Sequence, residues 1–126
     1  MTRRTEQRSA LRQALQEANR PLSAKELLRV ARGVVAGLGI ATVYRNIKIL
    51  ADEGWLVPVI IPGEPVRYEV AGKAHHHHFH CRLCDRVFDI PGCALGADRI
   101  PAGFELDEHE VVLYGKCADC TYKDAT

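Results

Sequence analysis

No run of about 18 consecutive apolar residues occurs in this 126-residue chain, so no transmembrane helix is expected. The opening segment, MTRRTEQRSALRQALQEANR, lacks the apolar centre of a secretory signal. The expectation is a cytoplasmic protein without a membrane partner. Reduced thiols in that compartment make the five cysteines metal ligands before disulfides. The H-x-E motif of zinc deaminases is missing: HE occurs at 109–110, and neither C-x-x-C follows a proline. With no carboxylate base beside an open zinc position, an enzyme is not expected. Apart from the duplicated C-x-x-C there is no internal repeat.

Net charge is also small, at +1, but it hides a division. Residues 1–54 hold ten Lys/Arg against five Asp/Glu, and residues 55–126 hold seven against eleven. All five cysteines and all six histidines fall in the second part. One part suits polyanions and the other cations.

In residues 6–18, Ala10, Leu11, Ala14, Leu15 and Ala18 share one helical face, with Arg8, Arg12 and Gln16 on another. Pro21 follows this helix. SAKE at 23–26 is a capping box that opens a second helix, running to about Arg32. GVVAGLG makes a loop. A third helix carries Val43, Ile47 and Leu50 on one face, with Tyr44, Arg45 and Lys48 projecting elsewhere, and Gly54 ends it. WLVPVI and VRYEV read as strands around a turn at IPGEP, and their prolines suggest edge strands. Three helices and a hairpin describe a winged helix–turn–helix, whose third helix enters the DNA major groove. AGKA at 71–74 is read as a hinge between domains at 1–70 and 75–126. Further strands are expected at 87–90 and 110–114.

Cys81 and Cys84 form one C-x-x-C pair, Cys117 and Cys120 the other, with 32 residues between them. Two such turns complete a closed tetrahedral site for structural Zn2+. A redox C-x-x-C would need one pair in a thioredoxin-like setting, which is absent. The stretch AHHHHFHC is unusual in mid-chain. In an extended segment, His75 and His77 point one way and His76 and His78 the other. Each pair needs outside partners, and Glu69, Asp89 and His109 are candidates. The bland alternative is a solvated histidine tract. Cys93 stands apart, either as a small buried hydrophobe or as a soft ligand or oxidant-sensing thiol.

GIATVYRNIKILADEGWL, RYEV…HHHHFHCRLC and HEVVLYGKCADC resemble the recognition helix, metal segment and C-terminal strand of the ferric uptake regulator (Fur) family. The resemblance runs from about residue 8 to Cys120. It implies an α+β homodimer with an N-terminal winged helix and a small α/β dimerisation domain carrying the four-cysteine zinc site. It implies a metal-dependent repressor that binds double-stranded DNA at an A/T-rich inverted repeat. Thr42, Tyr44 and Arg45 would approach the bases, while Arg8, Arg12 and Lys48 would hold phosphates; a solvated helix face is the plain alternative for Arg8 and Arg12. A regulatory site for Zn2+ or Fe2+ would use Glu69, His76, His78 and Asp89. Pro21 stands where many members carry a further histidine ligand. A third site would use His75, His77 and His109. The family's usual glutamate there falls near Gly96, so Cys93, Glu105 or Asp107 would have to substitute. The histidine run and Cys93 favour zinc over iron or peroxide sensing. Outside this class, the remaining alternative is a zinc-binding interaction module that does not bind DNA.

Overall fold

The computed structural model describes residues 2–93 and 100–124 and divides into two compact units, Met1–Gly72 and Lys73–Thr126. Among the described residues, no helix is long and apolar enough to cross a membrane.

In the first unit, helix α1 spans Arg3–Ala18. It begins three residues before the 6–18 stretch read as helical from the sequence, because Thr2 caps it by accepting from the Thr5 N–H at 3.2 Å. Asn19 ends it in the left-handed conformation, at φ 47°. A two-residue strand, β1 (Leu22–Ser23), leads into α2 (Ala24–Ala31). The capping box forms in both directions: Ser23 accepts from the Glu26 N–H, and Glu26 accepts from the Ser23 N–H. Helix α3 spans Ile40–Asp52. Gly54, at φ +75°, takes the left-handed position beyond its end. Ala10, Leu11, Ala14 and Leu15 of α1 pack with Leu27 of α2 and with Val43, Ile47 and Leu50 of α3. Burial of those apolar stripes fixes the three-helix arrangement.

Strands β2 (Leu56–Val59) and β3 (Arg67–Val70) pair antiparallel as a hairpin. The edge-strand reading holds for β2 alone. β3 is central, because β1 pairs on its other side, in the order β1-β3-β2. A two-residue strand is too short to show period-two alternation in the sequence.

The second unit is built on a three-stranded sheet of β4 (His76–Cys81), β5 (Val87–Pro91) and β6 (Val112–Gly115), in the order β5-β4-β6. β4 and β5 are antiparallel, with His78 opposite Asp89. β6 runs parallel to β4, with His78 opposite Val112. The last strand lies two residues later than the expected 110–114 at its start. A short helix, α4 (Ala118–Asp124), which the sequence reading lacks, follows Cys117.

Candidate metal centres

Strand β4 delivers Cys81 at its end, and a turn closed by the Asp85 N–H on the Cys81 carbonyl (2.9 Å) brings Cys84 back beside it. Cys117 immediately precedes α4 and Cys120 lies in its first turn, with the Thr121 N–H returning to the Cys117 carbonyl. The sulfurs of Cys81 and Cys120 are 3.6 Å apart and those of Cys84 and Cys117 are 3.8 Å apart. A tetrahedron with Zn–S bonds of ~2.3 Å has edges of about 3.8 Å. The four-cysteine cluster therefore fits zinc in donor type, number and spacing.

The surroundings favour thiolate at Cys81 and Cys84. Burial raises the Cys81 pKa, but the backbone N–H groups of Cys84 and Cys117, at 3.4 and 3.3 Å from its sulfur, outweigh that and bring it to about 5. Burial likewise opposes ionisation of Cys84, and the Arg86 guanidinium at 3.1 Å reverses it. Cys120 is pushed up to about 12 by burial and by hydrogen bonds among the neighbouring sulfurs. Arg86 also donates to Cys117 Sγ at 3.7 Å and to Asp119 at 3.1 Å. Sequence reasoning missed this guanidinium, although a cation two residues after a ligating cysteine is a usable signal.

The four histidines divide by strand alternation. On one face, His76 Nε2 and His78 Nε2 each lie 3.6 Å from Asp89 Oδ1. That oxygen is buried with no hydrogen-bond partner, an arrangement a cation between the three groups would satisfy. His76 Nδ1 lies 2.8 Å from the Ala74 carbonyl. A carbonyl only accepts, so Nδ1 carries a proton, and in the neutral ring the Nε2 lone pair is the one that serves a ligand role. Glu69 is buried in β3 of the first unit, opposite Val57.

On the other face, His75 Nε2 is 3.1 Å from His77 Nε2, His77 Nε2 is 3.2 Å from Cys93 Sγ, and Cys93 Sγ is 2.9 Å from His109 Nε2. All four donor atoms lie within 4.8 Å of one another. The spacings are slightly inside the ~3.3–3.6 Å edges of a tetrahedral zinc site with three nitrogen donors and one sulfur, and they match direct hydrogen bonds. Burial lowers the His77 pKa, and His75 and His109 lower it further, so its neutral, ligand-competent form is favoured. Cys93 is exposed, which corrects the buried-hydrophobe reading. Glu105 and Asp107 are exposed and outside this cluster, and Gly96 lies outside the described residues. His80, given no role by sequence, is buried and bonds Asp85 at 2.6 Å.

In the first unit, α3 presents Tyr44, Arg45 and Lys48 to solvent, with Thr42 half-buried. Lys48 pairs with Asp52 at 3.2 Å. Arg8 donates to buried Asn46 at 3.3 Å, and Arg12 pairs with Glu53 at 3.5 Å beside the Trp55 ring. Both α1 arginines are half-buried and have partners within the unit. Pro21 is fully buried.

The ferric uptake regulation protein of Campylobacter jejuni is 30% identical over 92 residues, covering 70% of this chain and 59% of that protein. The chain thus spans about three fifths of the length of the first curated relatives it matches. A solved zinc-bound manganese uptake regulator superposes with a TM-score of 0.74 at 26% identity, covering 93% of this chain and 89% of that one. FurB of Mycobacterium tuberculosis, a zinc uptake regulator, gives a TM-score of 0.52 at 28% identity, with 94% and 95% covered. The ferric uptake regulator family model matches residues 1–114, and the chain belongs to that family.

Proposed function

We propose that this chain is a metal-dependent DNA-binding transcriptional regulator, a repressor and not an enzyme, and that the ion it senses is Zn2+. The observation that carries the reading is the partition of the histidine run. Alternation along β4 and the residue before it gives one face His76, His78 and a buried Asp89 oxygen without a hydrogen bond, and the other face His75 and His77 with Cys93 and His109. Neither set resembles a solvated tract. The likeness to FurB, a zinc uptake regulator, and the thiolate in the second set favour zinc, since imidazole with thiolate suits Zn2+ better than hard-oxygen ions.

In this reading the chain works as a homodimer on an A/T-rich inverted repeat. Thr42, Tyr44 and Arg45 of α3 meet base edges, and Lys48, Arg8 and Arg12 meet phosphates. Cys81, Cys84, Cys117 and Cys120 hold structural Zn2+. Glu69, seven residues before His76 in the chain, completes the regulatory site with His76, His78 and Asp89. Metal binding at that site favours the DNA-competent arrangement of the protein. A hundredfold preference for the DNA-competent arrangement supplies about 2.7 kcal/mol of coupling.

The test is operator titration of zinc-loaded protein (four-cysteine site filled) with and without added Zn2+ or Fe2+. Zn2+ should tighten binding steeply, and Glu69→Ala or His78→Ala should abolish the effect. Equal operator affinity with and without metal defeats the switch. One observation favours iron as a second reading: the proposed regulatory set of two histidines and two carboxylates contains no sulfur, and such nitrogen–oxygen donors also suit Fe2+. Tightening by Fe2+ alone would select it.

A further inference from the structure

Asp89 stands directly across the β4–β5 ladder from His78, and its two oxygens face different partners. Oδ1 turns toward His76 Nε2 and His78 Nε2. Oδ2 meets Lys73 Nζ at 2.5 Å. Both side chains are about four-fifths buried, with 20% and 19% exposure, so solvent screens the pair little.

We propose that Lys73 is a specificity-determining residue: by holding Asp89 Oδ2 it leaves one metal-facing oxygen and so selects four-coordinate Zn2+ over Mn2+. The inference rests on reading His76, His78 and Asp89 as the regulatory metal centre. A carboxylate chelates an ion only when both oxygens turn to it. The charge-assisted Lys73–Asp89 bond must break before that can happen. Zn2+ needs only four donors, and the two imidazoles, Oδ1 and one further ligand supply them. Mn2+ prefers six, rich in oxygen, and loses a donor it would otherwise use.

The ammonium has a second effect with a different signature. Its charge repels every divalent ion, which weakens all of them alike. Removing Lys73 should therefore tighten binding generally, and only the denticity argument predicts a change in the ratio between ions. A lysine that merely ties the start of the second unit to its sheet would alter stability and leave that ratio unchanged.

The experiment uses the full chain with the four-cysteine site zinc-filled. Cys93→Ser and His109→Ala are present throughout, so that the second histidine cluster is silent. Lys73, Lys73→Met, Lys73→Gln and Lys73→Arg are compared by competition against a chromophoric chelator for Zn2+ and Mn2+, and by the visible spectrum of Co2+. Lys73→Met and Lys73→Gln should lower the Mn2+ Kd about tenfold more than the Zn2+ Kd. Their Co2+ bands should weaken as coordination number rises. Lys73→Arg, which keeps a cation on Oδ2, should restore both readouts. An unchanged ratio and an unchanged Co2+ spectrum in the neutral variants overturn the assignment. Failure of the underlying site shows separately, as His78→Ala in the same background binding metal like its parent.

Discussion

Cys93 Sγ lies 2.9 Å from His109 Nε2, although the two residues stand sixteen positions apart. The thiol precedes the 94–99 segment, and the imidazole comes shortly before β6. With His75 and His77 they bring three nitrogens and one sulfur together. A carboxylate at the sulfur position would make the set acceptable to harder ions. The thiol moves it toward zinc.

The first prediction concerns that sulfur. Cys93→Ser should weaken Zn2+ at this cluster by about ten- to a hundredfold while changing Mn2+ affinity little. Cobalt substitution checks it spectroscopically, because a thiolate ligand gives a charge-transfer band that serine cannot. A Cys93→Ser protein with the parent's band intensity and zinc affinity, measured with the four-cysteine site already filled by zinc, would remove Cys93 from the site.

A second prediction concerns the four-cysteine site as a staple. Among the described residues, the second unit has one small sheet and few buried apolar side chains, chiefly Cys81, Val87 and Cys117. Small domains of this kind depend on metal for stability. Chelation of zinc, or Cys117→Ser, should unfold the second unit. The first unit, with the α1–α2–α3 core, should keep its helical signal. Circular dichroism during a melt, with and without a strong chelator, separates the two. Because the ligands bind as thiolates, acid should release the zinc. Cys81, whose pKa is held to about 5, is favoured as thiolate above that pH and protonates as the pH falls through it.

The third prediction sorts the exposed side chains of α3. Lys48→Ala should lower operator and non-operator affinity alike and reduce the magnitude of the salt slope by about one. Arg45→Ala should cost about 1–3 kcal/mol and relax specificity at one base position. Arg8→Ala carries an extra consequence, since Arg8 bonds Asn46 on α3 and its loss also loosens the α1–α3 contact. Fluorescence anisotropy over a salt series, on operator and scrambled duplexes, distinguishes these effects. Salt-independent affinity for both duplexes would remove DNA from the functional reading.

Much of this was legible because it depends on local rules. The capping box at Ser23 and Glu26 names its own geometry, and the apolar spacing of α1 and α3 names the buried face. Two C-x-x-C pairs specify a closed tetrahedral site, and period-two alternation sorts the histidine run. What stayed hidden depends on contacts distant in sequence. The pairing of β1 with β3 is only two residues long. Parallel pairing of β6 with β4 leaves no turn signal between them. Lys73 looks like an ordinary linker residue until Asp89, sixteen positions later, is brought against it.

The last prediction tests the capping box that starts α2. Ser23 and Glu26 satisfy each other's backbone N–H groups, at 3.2 and 3.1 Å, and Glu26 also pairs with Arg20 at 3.0 Å. Ser23 additionally sits in β1, paired with Arg67 of β3. Ser23→Ala removes the acceptor for the Glu26 N–H but leaves the β1 backbone pairing available. The expected cost is about 1 kcal/mol of first-unit stability. Glu26→Ala removes the return bond and a partner of both Arg20 and buried Arg67, which lies 3.9 Å away. It should cost more than Ser23→Ala, because cationic groups shielded from water lose a counter-charge. Urea denaturation of the zinc-loaded chain, followed through Trp55 fluorescence, gives both values. A Glu26→Ala cost no larger than that of Ser23→Ala would show that Arg67 draws its compensation from Glu64 and other neighbours instead.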